Sequence, residues 1–392
     1  MVNIYWIGNT GSWTNPSNWS DSSGGTPRTS EPNFANSNLI FDENSFSADG
    51  QTTTVEGSPN CGSLNMSLIN HNINFVNNGS INLLGDITIP SSVTISGGVF
   101  LFDSPTSGVA NIDIQTPFTG FATAMLAVGT LNLLSNLEIT TNYLFINSPN
   151  IIFNTDDYNL SVTYINNVGT FNGGTSTLTL TGIGFQNSGT ANLSGTTIII
   201  NNITPDYTYL SGLGTVNNIE IQNTGGTTVR FVNSTVINTD LTLFPGTSVR
   251  FDSNVTIDIS GTFNANGTPD ENITLAIWNV GDWFINAENI NLSYINVNSS
   301  TAGGTAAPFT DISGTDNGGN TNWIFSEALQ FYLVKTSGIV SCDYLDISNS
   351  NAGGGASWYA GLNSNDTTNN TGWIFRNPET ISSAPLPTHF NP

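Results

Sequence analysis

Side chains able to do acid–base or nucleophilic chemistry are sparse in this chain. There is one lysine, Lys335, with four arginines, Arg28, Arg230, Arg250 and Arg376, two histidines, His71 and His389, and two cysteines, Cys61 and Cys342. A polysaccharide lyase needs a strong base, usually Lys or Arg, and further cations to neutralise a uronate, and five scattered basic residues do not supply them. A nucleophilic triad needs a histidine beside its nucleophile, and His389 lies in a Pro-rich terminus. A glycoside hydrolase needs two carboxylates roughly 5–10 Å apart. Asp156-Asp157 is the pair to weigh, but adjacent residues of a strand project to opposite faces. The residues point away from an enzyme, with glycan hydrolysis as the remaining catalytic alternative.

Two other residue sets could bind. The loops Gly314–Asn320 and Asn363–Asn370 are rich in Asp and Asn, side chains that calcium accepts as oxygen ligands. Each holds a single aspartate, Asp316 or Asp366, which is little charge for a tight site. No cofactor is expected, and loop calcium at these two residues is the one metal alternative. The aromatic residues Trp323, Trp358, Tyr359 and Trp373 are the candidate ligand-binding set. Trp358-Tyr359 would offer a stacking face to a neutral sugar, and the competing reading is that both bury against the neighbouring coil or a neighbouring subunit.

The elements that must position these residues are strands. The chain has 392 residues, of which 37% are hydrophobic and 10% aromatic, enough apolar surface to fold. Only 8% are charged, against roughly 25% in an average domain. We count 57 Asn and 40 Gly. Helical periodicity is nearly missing; Phe121 to Val128 and Glu327 to Val334 come closest. Short alternations of apolar and polar residues recur instead, such as Ile87-Thr88-Ile89, Val93-Thr94-Ile95, Leu178-Thr179-Leu180, Ile219-Glu220-Ile221 and Leu241-Thr242-Leu243, bounded by Gly, Asn or Ser. Strands this short and this evenly spaced predict an all-β parallel β-helix, a β-solenoid with coils of roughly 18–25 residues over 60–275. Tandem β-sandwich domains are the alternative. Stacked coils put equivalent side chains about 4.8 Å apart; rows of like charge then repel, whereas rows of Asn or Thr hydrogen-bond, which fits the composition.

The ends differ from the middle. All eight Trp fall in residues 1–20 or 278–373. The front reads Tyr5-Trp6-Ile7-Gly8, Gly11-Ser12-Trp13 and Pro16-Ser17-Asn18-Trp19-Ser20, followed by Leu39-Ile40-Phe41-Asp42 and Cys61-Gly62-Ser63-Leu64. It resembles the Trp-rich opening module of β-helical bacterial surface proteins and some bacteriophage virion proteins. Its physical sense is a cap over the first coil's open apolar end; the alternative is a sugar-stacking platform.

At the back, 292–325 aligns without gaps to 342–375, an offset of 50, with 12 of 34 positions identical. The identities include Tyr294/Tyr344, Ala302-Gly303-Gly304/Ala352-Gly353-Gly354, Asp316/Asp366 and the closing Trp-Ile-Phe. This unit resembles a module recurring in phage tail proteins and marine bacterial surface proteins. The double Gly would permit a tight turn or close backbone approach. The expected organisation is a Trp-rich cap over 1–59, a solenoid over 60–275, repeat modules over 276–326 and 327–377, and an extended Pro-rich tail over 378–392. Residues 154–157 also resemble part of the polygalacturonase motif, but that family's Gly-His-Gly and Arg-x-Lys partners are absent.

Five basic residues against 28 acidic give a net charge of −23. No face basic enough for phosphates can be assembled, so nucleic acid is excluded as a partner. Anionic membranes and anionic glycans are expected to be repelled as well. No stretch has the ~20 apolar residues of a membrane span. Residues 1–30 lack the basic and apolar regions of a secretory signal, which implies synthesis and use in a cytoplasm, release by lysis, or a specialised exporter. Two isolated cysteines imply no disulfide framework. The resemblances imply a phage tail fibre, spike or decoration protein located in the virion, a homo-oligomer with a trimer favoured, partnered by other virion proteins and by host-surface glycan. The alternative is an adhesin on the bacterial cell surface.

Overall fold

The computed structural model describes residues 1–103, 108–125, 129–201, 207–222, 226, 228–325, 331–368 and 370–378. The tail expected over 378–392 therefore lies outside the described residues, apart from Pro378. The chain is an all-β parallel solenoid of about 14 turns. Among the described residues the only helical turns are the short 3-10 segments Pro16–Asn18 and Phe34–Asn36. The two stretches nearest to helical periodicity hold strands, Phe118–Met125 and Phe331–Val334. The chain divides into two compact units, Met1–Phe325 and Ser326–Pro392.

In the first unit each strand pairs in parallel with its counterpart one coil on. One inward row runs Leu137, Leu160, Leu178, Ile198, Ile219, Leu241 and Phe263, each in register with the next, and every member is buried. The coil length along this row varies from 18 residues (Leu160 to Leu178) to 23 (Leu137 to Leu160). It reaches 28 where Ile257 meets Ile285. Variable loops absorb the difference while the strands keep their register. The parallel ladder rules out sandwiches, whose neighbouring strands run antiparallel. Among the described residues antiparallel pairing is local to the front, Val2–Trp6 against Trp19–Ser20.

Phenylalanines in successive coils stack inside, as in Phe153 on Phe171 (5.5 Å between ring centres) and Phe231 on Phe251 (5.5 Å). Trp283 continues the second stack at 3.8 Å from Phe251. At the front, Trp6, Trp13 and Trp19 are completely enclosed. They pack with Phe34 and Phe41. Their indole N–H groups donate to Asn9 O, Thr53 Oγ1 and Trp13 O respectively, so large aromatic area is buried with no polar atom stranded. A sugar-stacking platform at this end is thereby overturned, because no ring face is open.

The outer face carries the ladder that the composition implies. Asn111, Asn132, Asn154, Asn172 and Asn192 stand in register in successive coils. Each side chain amide donates to the carbonyl of the one before it, at 3.3, 2.8, 2.7 and 2.7 Å. A second device sits at the corners: Asn167 is wholly buried and donates to Asn187 Oδ1 and Thr190 O, both at 2.8 Å. Gly79 shows how tightly coils approach, since a Cβ there would lie 1.7 Å from Gly57 O. Asp156-Asp157 lies in a turn and not in a strand, both residues having left-handed backbone (φ 48° and 68°).

Two predictions follow from this packing. Asn167→Ala removes both corner bonds and strands their acceptors, so calorimetry should show a loss of about 2 kcal/mol; an unchanged melting temperature would remove the corner amide from the folding account. Cys61 is buried, which pushes its thiol up to about 12, and Cys342 is half-exposed. A thiol reagent at pH 8 should modify Cys342 in the native protein and reach Cys61 only after unfolding; equal native rates at both would contradict that burial.

Candidate functional site

The two repeats share a backbone as well as a sequence. Tyr294 and Tyr344 both adopt left-handed φ (50° and 59°), as do Ser299 and Asn349 (52° and 50°) and Gly304 and Gly354 (81° and 92°). A Cβ on Gly304 would meet Ala287 O at 2.5 Å, and one on Gly354 would meet Lys335 O at 2.7 Å. The second glycine of each pair thus provides both the turn and the close approach.

The aspartates Asp316 and Asp366 lock their loops. Asp316 Oδ1 accepts from Asn320 Nδ2 at 2.6 Å and from Gly318 N at 2.8 Å. Asp366 Oδ1 accepts from Asn370 Nδ2 at 2.7 Å. Asn320 and Asn370 in turn accept the backbone N–H of Ser300 (3.0 Å) and Ser350 (2.9 Å). Amide donors aimed at each carboxylate supply the positive partner that a cation would otherwise supply. No group of three or more His, Cys, Asp or Glu side chains converges among the described residues.

The candidate aromatics are mostly packing elements. Trp323 is buried edge-on against Phe309, 5.0 Å between ring centres. Its indole N–H and the neighbouring Ser300 hydroxyl lack hydrogen-bond partners, whereas the equivalent Trp373 and Ser350 are bonded at 2.9 Å. In the second unit Trp358 is buried, packs 5.5 Å from Trp373 and donates from Nε1 to Gly353 O at 3.1 Å. Tyr359 and Trp373 are half-exposed. The gapless alignment placed Tyr359 opposite Phe309, but the ladder pairs Phe309 with Trp323 and Trp358 with Trp373. Trp358 therefore takes the place of Phe309, because the loop after Gly354 is one residue shorter. The exposed aromatic face expected at Trp358 is overturned by this register.

A different cluster, missed in the sequence, stands on the outer face of the first unit. Tyr143, Tyr164, Gly184, Tyr209, Arg230 and Arg250 occupy one outward row, each in register with the next. Arg230 is bound in a fork to Asp252, Nε to Oδ1 at 2.7 Å and Nη2 to Oδ2 at 2.8 Å; this bonding raises the guanidinium pKa further. The same guanidinium lies over Trp278 at 4.6 Å and over Tyr209 at 5.8 Å, and the Tyr207 ring meets Trp278 edge-on at 4.8 Å. Tyr164, whose hydroxyl donates to Gln186 Oε1, has its pKa raised by burial and by Tyr143 beside it. The signal was present: Gly-Thr-Thr-Val-Arg-Phe at 226–231 and Gly-Thr-Ser-Val-Arg-Phe at 246–251 repeat at an offset of 20.

No protein-family model, curated protein or solved structure matches the chain. The solenoid fold is compatible with a structural or adhesive role.

Trp358→Ala is expected to lower the melting transition of the second unit, by about 3–5 kcal/mol if fully accommodated as a core truncation, while Tyr359→Ala leaves it near wild type. The reverse order in a thermal scan would return Trp358 to the surface.

Proposed function

We propose that this chain is a structural and interaction protein of a bacteriophage virion, a tail fibre, spike or decoration protein that contacts other virion proteins and host-surface glycan. The observation that carries the reading is the neutral, self-complementary ladder. Coil follows coil through backbone pairing, packed aromatics and the Asn111–Asn192 row. Such a stack is a stiff scaffold on which loops and outward rows can vary without disturbing the core. The closed aromatic cap and the Trp-rich repeats support the same reading, since their sequences resemble modules of virion proteins.

The role is non-catalytic in this reading. Asp157 accepts the backbone N–H of Thr175 at 2.7 Å, which holds its carboxyl below the usual range, so this carboxylate is committed to a turn. The protein works without a cofactor, Asp316 and Asp366 serving as loop locks. Trimeric assembly is supported by exposed apolar side chains on the second unit, Phe331, Tyr332, Val334 and Ile339, together with outward Ser, Thr and Asn that are inexpensive to desolvate.

Antibody against the purified chain provides the test. Gradient-purified particles should carry the protein, with label on their appendages, and light scattering should give three times 41.6 kDa. Recovery in the envelope of uninfected cells would replace the virion reading with the adhesin one. A monomer at micromolar concentration would remove the trimer.

A further inference from the structure

The outward row of the first unit differs from the amide row. Where the row from Asn111 to Asn192 has Asn at every coil, here Arg230 and Arg250 face outward in directly adjacent coils. Parallel register sets such neighbours about 4.8 Å apart, where two guanidinium groups repel. One carboxylate, Asp252, answers one of them by forking onto Arg230. Arg250 donates from Nη1 to Ile277 O at 3.3 Å and makes no ion pair among the described residues. Among the described residues the site is thus one negative charge short, in a chain with 28 acidic residues. Planar guanidinium donors of this kind pair best with a carboxylate held in their own plane.

Aromatic rings surround Arg230, one coil from the unpaired Arg250. Trp278, Tyr207 and Tyr209 lie on one side, and Tyr143 and Tyr164, 5.5 Å apart, stand farther along the same row. Between Tyr164 and Tyr209 the row is bare at Gly184. That residue has φ 113°, and a Cβ there would meet Tyr209 O at 2.2 Å, so a side chain is shut out. A bare step flanked by two tyrosines is a place for a flat apolar ring face, and sugar rings present such faces between their polar edges. From Tyr143 to Arg250 the row has five steps, roughly 24 Å at the parallel repeat, room for several saccharide units in a line.

We propose that this row binds an acidic glycan, with pyranose rings laid on Tyr164, Tyr209 and Trp278 and a ring carboxylate held by the Arg250 guanidinium. The inference rests on the glycan-binding part of the function proposed above. It moves that contact from the repeats to the first unit, and changes its class from neutral sugar to a carboxylate-bearing one.

Full-length protein titrated with oligogalacturonate and with sialyllactose, followed by calorimetry and tryptophan fluorescence, tests it. Cellotetraose serves as the neutral control. At least one acidic probe should bind, more weakly as salt rises, and more tightly than cellotetraose. Arg250→Gln should raise its Kd about tenfold with the melting temperature retained, and Trp278→Ala should weaken binding and abolish the fluorescence change. If Arg250→Gln fails to fold, Arg250→Lys keeps the charge without the fork and should still weaken binding. No binding of either acidic probe at millimolar concentration, equal binding of cellotetraose, or an Arg250 substitution without effect overturns the proposal. Particles that carry the chain while the purified protein ignores both acidic probes would refute this inference alone. Binding by a chain absent from particles would refute the virion assignment alone.

Discussion

Parallel register is the constraint from which the other features descend. When each strand pairs with its counterpart one coil away, every side chain has a like-placed side chain about 4.8 Å above and below it. A position is therefore chosen with its neighbours in the row. Inward rows accept branched aliphatics and phenylalanines, which stack, as Phe153 and Phe171 do. Outward rows accept groups that are both donor and acceptor, and the amide of Asn is such a group. That is why Asn111, Asn132, Asn154, Asn172 and Asn192 bond head to tail and why charge is scarce along the stack. Low charge density here reflects geometry more than solubility.

A stack of this kind has an awkward first coil, because its inner face has no coil before it. The front of the chain answers with three enclosed tryptophans whose N–H groups are all bonded. The repeats solve a different problem, turning the chain sharply at fixed points. Their shared left-handed residues, Tyr294/Tyr344 and Ser299/Asn349, are positions where a non-glycine residue carries a strained backbone. The Asp316–Asn320 and Asp366–Asn370 clamps hold the loops that follow. Conserving these clamps across the two copies preserves the frame while the intervening loop changes length by one residue. That small change is enough to exchange Tyr359 for Trp358 in the core.

The fold was legible because strand spacing and composition report the same constraint. Three-residue alternations such as Ile87–Ile89 leave no room for long antiparallel strands, and the shortage of charge agrees with stacked rows. The candidate site was less legible. The repeats align without gaps across Trp358-Tyr359, and alignment by identity cannot register a loop one residue shorter when the flanking motifs still match. Asp156-Asp157 follows the apolar Ile151-Ile152-Phe153 and so looks like a strand continuation, although Asp tolerates left-handed backbone and marks turns. The outward row was hidden for another reason. Its members come from coils about 20 residues apart, and Val-Arg-Phe repeated at 229–231 and 249–251 reads as ordinary strand texture unless the coil period is already known.

Net charge alone does not fix what one face of a solenoid can bind. A total of −23 suggests repulsion of every anion, and at long range and low salt it does contribute that. At physiological ionic strength the screening length is about 8 Å, under two coil repeats. A ligand resting on one outward row therefore responds chiefly to charges in that row and its neighbours. The stack makes such local exceptions possible, because a solenoid can place two arginines side by side without altering the inward rows that hold it together. It also makes them costly, since register forces the like charges close. The Arg230–Asp252 fork and the Trp278 ring offset part of that repulsion. What they leave at Arg250 is an electrostatic demand that the chain's own described side chains do not meet.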